Sequence, residues 1–216
     1  MIARWLVVGV CVLAGFGIML HRGEQDEPVN ADNRDEALEA IKRLEGEVVF
    51  DGESENSART IYLTGPRIKD RHLTLLKSFP ELPDLDLSKT KITDDGLRLL
   101  GEMPNLRSLY LRDTTITDAG VSHLRTVKRL QGVNLNDTKI TDKGLEVLGE
   151  MTGLTMLRVD GTGVTDKGLI HLKKIEKLWL LGVERTGITD AGLLQLVGLA
   201  RLDYLGLAGS KVTDVD

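Results

Sequence analysis

Residues 108–131 read SLYLRDTTITDAGVSHLRTVKRLQ, and residues 132–155, GVNLNDTKITDKGLEVLGEMTGLT, repeat the same frame without a gap. Ile116-Thr117-Asp118 and Ile140-Thr141-Asp142 are 24 residues apart, and the series continues through Ile92-Thr93-Asp94, Val164-Thr165-Asp166, Ile188-Thr189-Asp190 and Val212-Thr213-Asp214. Ile68-Lys69-Asp70 extends it one unit upstream. A fixed period of this length predicts a stack of like units, each burying its apolar side against the next.

Ahead of each triplet stand two apolar residues spaced by two: Ile61/Leu63, Leu85/Leu87, Leu109/Leu111, Val133/Leu135, Leu157/Val159, Leu181/Val183 and Leu205/Leu207. That spacing puts both side chains on one face of a strand. Behind it, Leu97/Leu100, Val121/Leu124, Leu145/Leu148, Leu169/Leu172 and Leu193/Leu196 follow the i, i+3 spacing of a short helix. The unit is therefore strand, turn, helix. The threonine is expected to cap the helix, and the aspartate to sit in its first turn, favoured by the helix dipole.

Written out, the unit is LxxLxLxxTxITDxGLxxLxxLxx, which resembles the leucine-rich-repeat family over residues 58–216 in six full units and a truncated seventh. The resemblance implies an α/β solenoid: a right-handed superhelix with parallel strands on its concave face and short helices on its convex face. Within the family the unit is most similar to the cysteine-containing subclass of ubiquitin-ligase substrate receptors and, above all, to the bacterial, envelope-anchored relatives of that subclass. Where the receptors carry Cys or Asn, this chain has Thr90, Thr114, Thr138, Thr162, Thr186 and Ser210. Those hydroxyls have two readings, an array that meets a ligand or corner groups that bond buried backbone of the neighbouring coil.

Outside the repeats, Trp5 to Leu20 is a run of sixteen uncharged residues after Arg4, and residues 1–21 are expected to be a signal anchor or a signal peptide. The missing A-x-A site favours the anchor, with the repeats outside the cytoplasm. Residues 22–33 form an acidic linker containing Pro28, and residues 34–57 an N-terminal cap. In the cap, Asn33 and Glu36 resemble a capping box, Gly46 is the expected helix stop, and Val48, Val49 and Phe50 form a strand ahead of the loop GESENSA.

Charge is concentrated in that leading part: residues 22–57 hold twelve acids and four bases, against 21 acids and 23 bases in residues 58–216. No basic stripe follows the repeat, so no nucleic-acid partner is expected. The one cysteine, Cys11, allows neither an internal disulfide nor a cysteine metal site. His123 and His171 share a helix-side column two units apart, about 10 Å at the strand spacing and too far to hold one metal. With no Ser/His/Asp set and no phosphate-binding glycine loop, the reading is a non-enzymatic interaction module without a cofactor.

The binding surface is nominated by the strand positions that point away from the core. The middle column reads Tyr62, Asp86, Tyr110, Asn134, Arg158, Gly182, Gly206; one flank reads Thr60, Asp84, Ser108, Gly132, Met156, Leu180, Tyr204; the other reads Thr64, Ser88, Arg112, Asn136, Asp160, Glu184, Ala208. Tyr110, Arg112, Asn134 and Arg158 give the centre hydrogen-bond donors, and Met156, Leu180 and Tyr204, with Trp179 beside them, give an apolar stripe next to the glycines. Either the stripe contacts a partner or Met156 and Leu180 merely shield the strands. The partner expected is a protein, with a cell-wall glycan as the other choice. The alternative functions are a self-associating envelope scaffold, with weak end-to-end association through an uncapped last coil, and, further off, a ubiquitin-type substrate receptor or a glycan-acting enzyme. The sequence stops after the seventh triplet, before the helix expected to follow. A sufficient short tail, self-pairing and descent from a longer relative are all open readings.

Overall fold

The computed structural model describes residues 33–51 and 57–213. The apolar segment, all of the linker except Asn33, most of the GESENSA loop and Asp214 lie outside the described residues. Among the described residues no helix is long and apolar enough to cross a membrane.

Helix α1 (Arg34–Arg43) begins at extended Asn33, whose Oδ1 accepts the Glu36 N–H at 2.9 Å while its Nδ2 donates to Glu36 Oε1 at 3.1 Å. Asp35 and Glu36 lie in its first turn and Lys42 and Arg43 in its last, matching both ends of the helix dipole. Its end differs from the sequence expectation. The left-handed residue is Glu45 (φ 62°), and Gly46 follows it, donating back to the Ile41 carbonyl at 2.9 Å. Gly46 is required for space: a Cβ there would lie 2.9 Å from both Ile41 Cγ2 and the Tyr62 carbonyl.

Strand β1 (Glu47–Phe50) pairs antiparallel with β2 (Ala58–Tyr62), and from there the sheet is parallel in chain order through β3 (Asp84–Asp86), β4 (Ser108–Tyr110), β5 (Gly132–Asn134), β6 (Met156–Arg158), β7 (Leu180–Gly182) and β8 (Tyr204–Gly206). The cross-strand register is the 24-residue register: Ile61, Leu85, Leu109, Val133, Leu157, Leu181 and Leu205 are successive partners. All but Leu205 are buried. The helix side carries a 3-10 segment, Asp70–Ser78, then α2 (Asp94–Leu100), α3 (Asp118–His123), α4 (Asp142–Gly149), α5 (Asp166–Leu169) and α6 (Asp190–Leu193). The last two are single turns continued by 3-10 segments Ile170–Lys174 and Leu194–Leu196. Strands pack at about 4.8 Å and helices at about 8–10 Å, so a stack with one on each side bends toward the strands.

At the cap end Ala37 and Ile41 are buried, and the Arg34 guanidinium lies 4.7 Å from the Phe79 ring centroid and 5.9 Å from that of Phe50. Arg34 donates to Glu81 Oε1 at 2.8 Å, and the same oxygen accepts the Ala58 N–H at 3.2 Å. Burial works to raise the Glu81 carboxyl, but its own backbone N–H, Arg34 and the Ala58 N–H together hold it below the ordinary glutamate value.

Asp94, Asp118, Asp142, Asp166 and Asp190 sit in the first turns of their helices, as expected, and the repeat aspartates also do something the sequence reading did not include. Each carboxylate leaves its own helix and grips the threonine of the next coil. Asp70, Asp94, Asp118, Asp142, Asp166 and Asp190 accept, through Oδ1, the N–H of Thr93, Thr117, Thr141, Thr165, Thr189 and Thr213 at 2.7–3.0 Å. Through Oδ2 they accept the hydroxyls of the same threonines at 2.6–2.7 Å. Those bonds, the hydroxyl first, hold the Asp190 carboxyl below its ordinary range. The hydroxyls also cap, as expected: Thr117, Thr141, Thr165 and Thr189 accept from the N–H two residues on at 3.2–3.4 Å.

The carboxylate explains the glycine two places after each aspartate. A Cβ on Gly96, Gly120 or Gly192 would collide with Oδ1 of Asp70, Asp94 or Asp166, and one on Gly144 or Gly168 would approach Asp118 or Asp142 to 2.7 and 2.6 Å. His72 occupies the equivalent place in the first coil, buried, its Nδ1 accepting the Lys69 N–H at 2.9 Å.

The corner threonines are also corrected. Thr90, Thr114, Thr138, Thr162 and Thr186 donate to the carbonyl three residues earlier in their own coil, at 2.5–2.7 Å, rather than to the neighbouring coil. Four of the five are buried, which leaves the structural reading for that column.

In an ordinary helix Gly→Ala gains about 1 kcal/mol. Here Gly144→Ala is expected to lose about 1–3 kcal/mol through the clash with Asp118. Urea denaturation of Gly144→Ala, Asp118→Ala and the double variant checks this. The double variant should lose clearly less than the two singles added together, whereas additivity would mean that the two groups do not meet.

Candidate functional site

Short strands three residues long leave few outward positions, and the parallel register sets them in three straight columns. In the middle one Tyr62, Asp86, Tyr110, Asn134, Arg158, Gly182 and Gly206 are successive cross-strand partners, as the period predicts. Thr60, Asp84, Ser108, Gly132, Met156, Leu180 and Tyr204 run beside it in the same register.

The residues nominated from sequence divide into groups. Trp179 and Tyr204 are exposed, at 45% and 42%, and Arg158 places its guanidinium 5.8 Å from the Tyr204 ring centroid. Arg158 and Tyr204 are two strands apart, and the bare backbone of Gly182 lies between their strands. Gly182 has no room for a side chain, since its Cβ would lie 2.7 Å from Asp160 Oδ1; a Cβ on Gly206 would lie 3.0 Å from Glu184 Oε1. Glycine at these positions gives a floor with carboxylates on one side and Tyr204 and Trp179 on the other.

Leu180 does not stand out from that floor. Only 7% of it is exposed, so the shielding reading applies to it and the contact stripe narrows to Trp179, Tyr204 and the half-buried Met156. Met156 leans toward Gly132, whose Cβ would meet the methionine methyl at 2.9 Å.

Among the central donors, Arg112 lies with its Nε 3.5 Å from Asp137 Oδ2, and Asp137 also accepts from Arg185 Nη2 at 2.9 Å, two coils away. Gly161 lies under that bridge; a Cβ on it would meet Asp137 Oδ1 and would stand 3.1 Å from Arg185 Nη2. Asn134 accepts the Asn136 N–H through its own Oδ1 at 3.0 Å. Tyr110 is half-buried, and burial, then the neighbouring Asp84 and Asp86, push its phenol above the ordinary value.

The flank expected to be outward contains a buried polar pair instead. Asp160 is 4% exposed; its Oδ2 accepts from Asn136 Nδ2 at 2.7 Å and its Oδ1 accepts the Glu184 N–H at 2.8 Å, while Asn136 Oδ1 accepts the Asp160 N–H at 2.9 Å. A buried carboxylate needs such donors to stay charged. Asn136 and Asp160 thus tie three successive coils together just past their strands. Tyr110 was nominated and Tyr62, Asp84 and Asp86 were placed in the outward columns, but their association as a group on β2–β4 was not read from the sequence. Its only signal was adjacency across the columns.

With this geometry in view, comparison with known proteins is informative about the fold. Residues 82–101, 102–124 and 130–149 each match the family model described as a leucine-rich repeat. Comparison with the curated proteins gives no match. Among solved structures, an internalin (inlF) from Listeria monocytogenes strain 4b F2365 is similar with a TM-score of 0.61 and 24% identity over 72% of this chain and 43% of that one. Internalin C2 (inlC2) of the same strain gives a TM-score of 0.57 and 23% identity over 73% of this chain and 74% of that one. The chain thus spans less than half the length of the first of these. The fold is a leucine-rich-repeat solenoid.

Asn136→Ala is expected to cost about 2–4 kcal/mol, because it strips one donor from a carboxylate that stays buried and removes the acceptor of the Asp160 N–H. The midpoint of chemical denaturation measures this. A loss below about 0.5 kcal/mol, the level of ordinary surface changes, would mean that water replaces the amide.

Proposed function

We propose that this chain is a protein-binding module, tethered to a membrane by its N-terminal apolar segment and displayed outside the cytoplasm, with its partner on the strand face. The observation that carries the reading is the floor over β6–β8. Trp179 and Tyr204 are exposed beside the backbone of Gly182 and Gly206, with Arg158 against the tyrosine ring. Tyr, Trp and Arg are the side chains most enriched at binding hot spots. Candidate contacts are therefore Trp179, Tyr204, Arg158 and Met156, with Tyr110, Arg112 and Asn134 at the centre. Among the described residues no group of three or more His, Cys, Asp or Glu could hold a metal ion, and the site has no arranged nucleophile and base. Binding is the chemistry that these side chains support.

The tether rests on the sixteen uncharged residues from Trp5 to Leu20 behind Arg4. A second reading, a self-associating scaffold, has one observation in its favour. Ile170 and Leu194, 24 residues apart on the helix side, and nearby Val197 are all exposed.

Photo-crosslinking in cells from position 204, compared with position 146 on the helix side, tests the binding reading. A specific adduct from 204 that falls by about tenfold or more in Trp179→Ala/Arg158→Leu is the expected result, since hot-spot losses reach about 2 kcal/mol each. Undiminished capture would overturn it, and a dimer of the chain as the only adduct would favour the scaffold. For the tether, intact-mass measurement of the membrane fraction should find Arg4 retained; a mature chain starting near residue 20 would replace the anchor with a cleaved signal.

A further inference from the structure

The other half of the strand face has a different chemistry. On β3, Asp84 and Asp86 occupy alternate positions and so project from the same side. Register places Tyr62 and Tyr110 on the strands either side of Asp86. At the strand spacing the tyrosines are roughly 10 Å apart, with the carboxylates between them.

Little on this part of the face offsets the two acids. Asp86 accepts the Ser88 N–H through Oδ1 at 2.8 Å, and among the described residues its Oδ2 has no hydrogen bond or ion pair. Among the described residues the Asp84 carboxylate has neither a hydrogen bond nor an ion pair. Arg112, the base among the outward residues of these strands, turns toward Asp137. Elsewhere on the face Asp160 is partnered by Asn136 and Asp137 by Arg185. The aromatic walls are a separate observation from the acids. Tyr62 is 41% exposed and Tyr110 half-buried, so each can offer a ring to a cation held between them. A ring face and a carboxylate attract the same thing, a positive charge, and a planar guanidinium can satisfy both at once.

We propose that Tyr62, Asp84, Asp86 and Tyr110 form a box for a cationic side chain, arginine above all, on a basic segment of the protein partner. The inference rests on the strand face being the binding surface and adds what the partner must carry. The far floor, with Trp179 and Tyr204, takes an apolar contact, so the partner's segment is basic at the β2–β4 end and apolar at the β6–β8 end.

The test uses the full chain and a fluorescent acetyl-Gly-Arg-Gly-Arg-Gly-amide peptide, read by anisotropy at physiological salt, beside the same peptide with citrulline in place of arginine. Citrulline keeps the shape and loses the charge. The arginine peptide should bind about tenfold more tightly than its neutral twin, the combined effect of an ion pair and a cation–π contact. Asp86→Asn and Tyr62→Leu should each weaken it about threefold to fivefold, and thermal melts should show both variants folded. Glu146→Gln on the helix side should leave it unchanged.

Equal binding of the two peptides, no effect of Asp86→Asn, or an equal effect of Glu146→Gln through overall negative charge would each overturn the box. If the box fails while crosslinking from position 204 persists, the strand face remains the binding surface and only the cationic chemistry falls. If crosslinking fails while the peptide still distinguishes arginine from citrulline, the box stands and the far floor falls.

Discussion

The bond from each repeat aspartate to the threonine of the following coil is the constraint on which the rest of the structure depends. One carboxylate takes an N–H and a hydroxyl from the next coil, as in Asp118 with Thr141. That hydroxyl then accepts from the start of its own helix, at Lys143. A single hydroxyl thereby joins the end of one coil's turn to the beginning of the next coil's helix. The motif Thr-Asp-x-Gly follows from this: threonine supplies a donor that is also a cap, aspartate reaches across, and glycine vacates the volume the carboxylate enters. The first coil departs from the motif, with Lys69 and His72 in place of threonine and glycine. His72 then uses its imidazole as the cap acceptor.

Much of the fold was legible because a parallel ladder converts a sequence period into geometry. Once Leu109 and Val133 are known to be 24 residues apart in like frames, their pairing and all three outward columns follow. What the period could not carry was depth and direction. Leu180 and Asp160 occupy outward positions, yet both are covered, the first among larger neighbours and the second under a lattice of amide and carboxylate bonds. The aspartate column was placed correctly in the first turns, but its bond to the next coil's threonine was missed, because a helix dipole and a neighbouring threonine attract a carboxylate alike. The corner threonines turned inward for a similar reason: an own-coil carbonyl three residues back is nearer than anything across the gap. At α1 the expected glycine stop fell one residue late, since Glu45 tolerates the left-handed turn and Gly46 is needed where the chain passes Tyr62.

The candidate site shows the same division between register and neighbourhood. Trp179, Tyr204 and Arg158 could be nominated from sequence because exposure of large side chains at outward positions is a strong signal. The Tyr62, Asp84, Asp86 and Tyr110 group could not, since each residue is unremarkable in its own coil and gains meaning only beside the next. Glycine also has two uses here. On the helix side it admits a carboxylate from the preceding coil, and on the strand side Gly182 and Gly206, themselves buried, make room for the side chains of Asp160 and Glu184.

A column of left-handed residues lies just past the strands, at Gly65, Lys89, Asp113, Asp137, Gly161, Arg185 and Gly209. Each of the first six donates its N–H to the carbonyl one coil ahead and one residue earlier in the frame, from Gly65 to Ser88 through Arg185 to Ala208. Strand ladder, left-handed column and aspartate staple therefore all count in the same unit. Length in this molecule is quantised. Adding or removing one complete coil leaves every ladder continuous, whereas inserting a single residue within a coil puts all three out of step at once. Such a chain can change the extent of its binding surface only in whole steps of one strand, each bringing three new outward side chains.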